Sequence, residues 1–357
     1  MVFFPTGKMN ISRLIPLPPN KAHYDIIAQH FVYEKEKVDS LFGENKFILS
    51  IIRDPVERFI SALNFLGMPR EIRQQLNKSI HEGDPLYTRY KTDHPIDWKV
   101  LPLTDKAEIL FNMVEFTFDD NLRKRFFSGN KMFFNNIAND LGFSQKKLVS
   151  PLIRVSKEEI KNFIEIIDKQ MDLILIQEHF DEGMLVLANA LNMKMYDVLY
   201  IAENSKASEI ISKTKTDLIY TPQLSQEIIN KIKYYSQVDV RIYEHFRTKF
   251  ESEYRVSEEA LADYRANLLK VYSSCVCARD KTGLFGTFSY VLCPDQENNG
   301  SCRELLTDSI SIQYIAAGKQ CTLANSTCRN NMSMNRKLKN KRLISKGWEF
   351  NNLHPSF

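Results

Sequence analysis

Hydrophobic positions along the chain fall into two kinds of run. Two are short and continuous, Phe47–Ile52 (FILSII) and Asp172–Ile176 (DLILI), and read as strands buried on both faces. Elsewhere apolar positions recur every three or four residues, the spacing of a helix with one buried face. This spacing predicts a helix from Pro55, with Phe59, Ala62, Leu63 and Leu66 on its inner face. It predicts others over residues 34–41, 70–81, 104–117, 119–128, 130–141, 156–169, 180–191, 222–235, 237–252 and 257–274. Residues 26–28 read as one more short strand. Residues 1–22, with four prolines, read as an irregular lead-in, and 82–103, with Pro85, Pro95 and Pro102, as a surface loop. Strands alternating with helices in this order imply an α/β fold around a parallel sheet.

Local signals sharpen two of these elements. Ser156, with Glu159 three residues on, is a capping box for the 156–169 helix. At the first strand, IIRDPVERFISA turns from strand to helix. Asp54 suits the N-cap, Pro55 the first helical position, and Glu57 the acid of a capping box. Arg53 then stands at the mouth of the turn, and Ser61 lies ~12 Å along the helix axis. A curved anion can touch both. Because Asp54 already serves the helix amides, a phosphate here leans on the Arg53 guanidinium and the Ser61 hydroxyl. The plain alternative is a βα unit with an exposed arginine. Arg58 reads as a solvated helix arginine.

Glu178 and His179 directly follow the second strand, at the carboxyl edge where open α/β sheets bind ligands. They suit orientation of an acceptor, or helix capping and packing. His245, between Tyr243 and Phe246, reads as a core histidine. His30 closes the segment before the first long helix–strand unit, where an imidazole with a pKa near ~6.5 suits a general base and equally a structural role.

Composition narrows the setting. The net charge is +4, which fits an anionic ligand, and no nucleic-acid-binding signature accompanies it. No apolar run reaches the ~18 residues of a membrane span, and no signal peptide opens the chain. All six cysteines, Cys275, Cys277, Cys293, Cys302, Cys321 and Cys328, lie in the tail. An even, clustered set suggests local disulfides. Zinc is disfavoured, since the cluster holds no C-x-x-C pair and no histidine. Sequons at Asn10, Asn77, Asn299, Asn325 and Asn331 fit an oxidising, lumenal setting. Residues 336–346 carry six Lys/Arg, read as a solvated tail. The change of character at 275 suggests a domain over 1–274 and a Cys-rich, basic tail over 275–357.

Several segments together resemble one family. IIRDPVERFISALNFLG resembles the 3′-phosphate-binding segment of Golgi carbohydrate sulfotransferases, where an Arg-Asp-Pro turn and a helix serine hold the 3′-phosphate of the sulfate donor PAPS. YDIIAQHFVYEKEKV, LILIQEHFDEGMLVLANALNMKMYDVLYIAEN and VDVRIYEHFRTKF resemble, in order, further segments of the galactose-3-O-sulfotransferases. The resemblance covers roughly residues 1–255. It implies a P-loop-NTPase-like sulfotransferase fold, a parallel sheet flanked by helices. It also implies sulfate transfer from PAPS to the 3-hydroxyl of galactose in glycolipids or glycoproteins, without a metal. On this resemblance Arg53 and Ser61 bind the donor and His30 is the base. Glu178 and His179 support the site or the acceptor. The positions matching the family's first histidine and following arginine are Gln29 and Val32 here. The family's lysine-containing 5′-phosphosulfate segment has no clear counterpart, Pro5-Thr6-Gly7-Lys8 lacking the flanking strand and helix. The first βα unit is therefore expected to be missing, along with the N-terminal anchor by which the family's members sit in the Golgi membrane. The alternatives are a catalytically inactive lumenal relative and, further off, a glycosaminoglycan uronosyl 2-O-sulfotransferase.

Overall fold

The computed structural model describes residues 7–8, 17, 21–26, 31–66, 68–84, 87, 90, 101–129, 133–144, 148, 155–201, 224–280, 289–296 and 299–306. His30, Cys321, Cys328, residues 27–28, most of the 82–103 loop and the 336–346 run lie outside them. So do the sequons at Asn10, Asn325 and Asn331. The chain divides into two compact units. One takes in Met1–Phe31, Glu36–Glu44 and Asp308–Phe357. The other takes in Val32–Lys35 and Asn45–Thr307, so the character change at 275 falls inside it. In the first unit, Tyr24 N–H donates to the Leu41 carbonyl at 3.0 Å.

The second unit is a helix-rich α/β structure around a small parallel sheet. Its strands are β1 (Leu49–Ile52) and β2 (Leu173–Ile176), in register from Leu49↔Leu173 to Ile52↔Ile176. The helices, in chain order, are α1 (Lys35–Leu41), which apart from Lys35 falls in the first unit, and then, in the second unit, α2 (Pro55–Leu66), α3 (Arg70–His81), α4 (Leu103–Asn112) and α5 (Asp120–Gly129). They continue with α6 (Asn136–Asp140), α7 (Lys157–Gln170), α8 (Phe180–Ala190), α9 (Gln226–Tyr235), α10 (Gln237–Glu253), α11 (Glu258–Cys275) and α12 (Gly300–Leu305). A wide π-type turn, Met113–Thr117, extends α4 to the expected end of that helical pattern. The amino ends of the strands are tied by Asp172, whose Oδ2 accepts from Ile48 N–H at 2.6 Å.

The two strands differ in cover. All four residues of β2 are buried, with α8 and α10 against it. Gly183 of α8 sits so close that a Cβ there would meet Leu175 Cδ2 at 3.1 Å. β1 does not show the two-sided burial expected of FILSII. Ile52 is buried, but Leu49 and Ile51 are 38% and 46% exposed. Side chains alternate along a strand, so Phe47, Leu49 and Ile51 share one face, and that face is open to solvent.

α2 covers the other side of the unit much as its pattern predicts. Phe59 and Leu63 are fully buried and Val56 and Ile60 nearly so. Each such side chain contributes about 1.5–3 kcal/mol on burial. They join an aromatic core in which Phe59 lies 5.8 Å from Phe111 and 5.5 Å from Phe134, and Phe127 lies 5.8 Å from Tyr235. α7 opens with the predicted capping box. Ser156 Oγ accepts from Glu159 N–H, and Glu159 Oε2 accepts from Ser156 N–H, both at 3.1 Å.

Beyond α11, an antiparallel hairpin of β3 (Val276–Asp280) and β4 (Ser289–Leu292) is stapled by two disulfides, Cys275–Cys302 and Cys277–Cys293. Cys275, Tyr290 and Cys302 pack with Ile201 and with Val271 and Tyr272 of α11. The expectation of local disulfides holds for these four cysteines.

Candidate functional site

Parallel strands in register bring their carboxyl ends to one edge, so the turn after β1 lies beside the turn after β2. In the first, Asp54 caps α2, its Oδ1 accepting from Val56 N–H at 2.8 Å and Glu57 N–H at 3.0 Å. Pro55 follows at the first helical position, as its fixed φ and missing N–H favour. Arg53 projects from the turn, 39% exposed, with Nη2 3.4 Å from Glu57 Oε2. Ser61 is exposed on α2, one turn beyond Glu57 and on the same face. Arg53, Glu57 and Ser61 therefore form one outward line, with an acid between the two groups that suit a phosphate.

Glu178 reaches across from the second turn. Its Oε1 accepts from Asp54 N–H at 3.0 Å, and its Oε2 accepts from the Tyr243 hydroxyl of α10 at 3.1 Å. The acceptor for the N-cap residue's own N–H thus comes from the neighbouring turn, while Glu57 faces Arg53. Burial, then the charges of Glu178 and Asp54, raise the Tyr243 phenol above its ordinary range, which keeps it a donor. His179 stacks on Phe250 at 5.9 Å and its Nε2 lies 3.3 Å from Glu251 Oε1. Arg247 donates to the same oxygen at 2.8 Å and holds the Glu251 carboxyl below its usual range.

Beneath α2 the structure corrects two readings. Arg58 is not a solvated helix arginine. Its Nη1 donates to Asn136 Oδ1 at 3.0 Å and its Nη2 to the Phe133 carbonyl at 2.9 Å. Asp239, fully buried at the start of α10, accepts from Ile137 N–H at 3.1 Å and Ala138 N–H at 2.8 Å, capping α6. Burial pushes the Asp239 carboxyl up to about 6, against the pull of the Arg58 charge and of those two donors. Arg58 and Asp239 thus seat α2 against α6 and α10, and Arg58 is unavailable to a ligand at the outer face. His245 is not a core histidine either. It is 42% exposed, its Nε2 4.0 Å from Asp168 Oδ2, because α10 buries Val238, Asp239, Ile242, Tyr243, Phe246 and Phe250 and residue 245 lies off that face.

His30 lies outside the described residues. Tyr33, three positions on, donates its N–H to the Asp140 carbonyl at 2.7 Å. Its own carbonyl comes within 2.5 Å of where a Cβ on Gly142 would stand, at a backbone φ of +91° that glycine alone adopts without strain. Sequence reasoning did not single out Asp239, and it met Tyr243 only as a neighbour of His245. Their polar tips at buried positions were the only local signal. Among the described residues no group of three or more His, Cys, Asp or Glu side chains converges as a metal site.

A profile of the galactose-3-O-sulfotransferase family matches residues 76–270, more than half of the chain. The chain belongs to the galactose-3-O-sulfotransferase family. The matched span contains Glu178, His179, Asp239 and Tyr243; Arg53 and Ser61 precede it. Galactosylceramide sulfotransferase of Homo sapiens is 23% identical over 229 residues, 64% of this chain and 43% of that protein. Galactose-3-O-sulfotransferase 2 of Mus musculus is 22% identical over 230 residues, 64% of this chain and 46% of that protein. The chain thus spans less than half the length of these relatives. No solved structure matches it.

Proposed function

We propose that this chain forms part of a carbohydrate sulfotransferase that moves sulfate from PAPS to the 3-hydroxyl of galactose in a glycolipid or glycoprotein. In that reaction the S–O bond to the donor's phosphate breaks, a new S–O bond forms to the sugar oxygen, and the sugar proton leaves. Arg53 and Ser61 hold the donor's 3′-phosphate, Arg53 supplying the charge and Ser61 a hydroxyl one helix face along. His30 takes the proton from the attacking hydroxyl. The observation that carries the reading is the line Arg53–Glu57–Ser61 on the outer face of α2, in a chain of this family.

The open face of Phe47, Leu49 and Ile51 supports a further part of the proposal. An apolar face of this kind suits cover by another βα element, and the donor's 5′-phosphosulfate would be cradled there by a strand-turn-helix unit distinct from the described elements. The two disulfides favour an oxidising compartment, and with the family point to the Golgi lumen. Residues 1–274 carry the transferase and 275–357 a stapled, basic extension.

Calorimetric titration of the chain with adenosine 3′,5′-bisphosphate tests the reading. Binding is expected, and Arg53→Ala should weaken it about tenfold or more. Equal affinity in wild type and Arg53→Ala would remove the phosphate assignment.

A further inference from the structure

Glu178 poses a physical puzzle if the adjoining turn binds a phosphate. A carboxylate beside an anion seat repels the ligand, so direct binding does not account for it there. Its contacts do. One oxygen holds Asp54 N–H at 3.0 Å, and the other holds the Tyr243 hydroxyl at 3.1 Å. The first bond fixes the peptide that joins Arg53 to Asp54, and so fixes the direction in which Arg53 leaves the turn. It also occupies the amide nearest the seat, leaving a phosphate to the guanidinium and the Ser61 hydroxyl. The second bond keeps the remaining oxygen turned toward α10.

The charged neighbours agree with this arrangement. Asp54 and Glu178 face the Tyr243 hydroxyl, and Arg247, one turn further along α10, lies within electrostatic range of both Tyr243 and Glu178. α10 itself is seated by buried Asp239, so Tyr243 is presented from a rigid element. The relay thus runs from a fixed helix, through one carboxylate, to the backbone of the phosphate turn. No hydrogen bond within the turn itself supplies that tie.

We infer that Tyr243 and Glu178 are positioning residues for the 3′-phosphate of the sulfate donor, acting through Asp54 N–H to aim Arg53. The inference rests on the reading of Arg53 as the phosphate ligand and deepens it.

The test is calorimetry of the full chain with adenosine 3′,5′-bisphosphate, comparing wild type, Tyr243→Phe, Glu178→Gln, Arg53→Lys and the double variant Arg53→Lys/Tyr243→Phe. Tyr243→Phe should weaken binding roughly tenfold in the wild-type background. In the Arg53→Lys background its cost should be smaller by at least about threefold, because the two groups act on the same phosphate. A merely structural tyrosine would instead lower affinity by the same factor in both backgrounds. Glu178→Gln carries the test if Tyr243→Phe does not fold: loss of its charge alone would tighten binding of the anion, so weaker binding supports the positioning role and unchanged or tighter binding counts against it. Unchanged affinity in both Tyr243→Phe and Glu178→Gln, while Arg53→Lys binds more weakly, overturns the positioning role and leaves the phosphate reading standing. Wild-type affinity in Arg53→Lys and Tyr243→Phe alike, or no binding by the wild type, overturns both.

Discussion

The turn after β1 and the turn after β2 occupy equivalent places, since the strands are parallel and in register, yet their side chains are used differently. After β1, Asp54 caps its own helix and Arg53 remains 39% exposed, paired only weakly along the same face with Glu57. After β2, Glu178 is held by Asp54 N–H and Tyr243, and His179 by Phe250 and Glu251. The first turn offers a cation to the outside; the second ties down the first. An equivalent topological position therefore does not confer an equivalent role. What matters is whether a side chain finds its partners on its own element or on another.

The same contrast runs through the strands. Leu175 is fully buried and its register partner Ile51 is 46% exposed. Leu175→Ala should cost about 3 kcal/mol of stability, and Ile51→Ala below about 1 kcal/mol, read from urea unfolding midpoints. Equal losses would show β1 to be covered on both faces after all and would break the contrast.

A smaller effect tests what lies under the first turn. Asp239 has a folded pKa raised to about 6, above the ~3.9 of an unfolded aspartate. The folded state therefore holds the proton more tightly. This contribution to stability is full below the unfolded pKa and is lost as pH rises through 6, about 3 kcal/mol in all and about 2 kcal/mol of it between pH 4 and 7. Unfolding measured at intervals between pH 4 and 7 should show that slope, and Asp239→Asn should lack it. A stability that falls over this range by the same amount in Asp239→Asn as in the wild type would remove Asp239 as its source.

The smallest expected effect concerns the acid in the phosphate line. Glu57→Gln should tighten adenosine 3′,5′-bisphosphate binding about threefold, by releasing Arg53 from an exposed ion pair. Weaker binding in that variant would mean that Glu57 orients Arg53 rather than competing for it.

Much of this was legible along the chain, and the legible parts share a cause. The Ser156–Glu159 box, the Asp54 cap and the burial of Phe59 and Leu63 all depend on neighbours within about one helical turn. The misread residues depend on distant ones. Arg58 looked solvated because its partners, Phe133, Asn136 and Asp239, lie far along the chain. His245 looked buried because it stands between two aromatic residues, Tyr243 and Phe246, that are; yet at 100° per residue it falls outside their face. The run FILSII looked like an interior strand, but an apolar sequence cannot say whether anything lies on its second face.

The amino-acid sequence by itself determined both strands of the parallel sheet and most of the helices, the Arg-Asp-Pro turn with its cap, the clustering of cysteines and the family, but not the disulfide-stapled hairpin. Caps, turns and periodicity act over a few residues, so the information is local. Tertiary structure decided which polar groups remain for a ligand. The parallel register of β1 and β2 set Glu178 against Asp54, and the seating of α10 set Tyr243 against Glu178. Those bonds exist only once elements distant in sequence have packed, because a hydrogen bond requires its two atoms within about 3 Å.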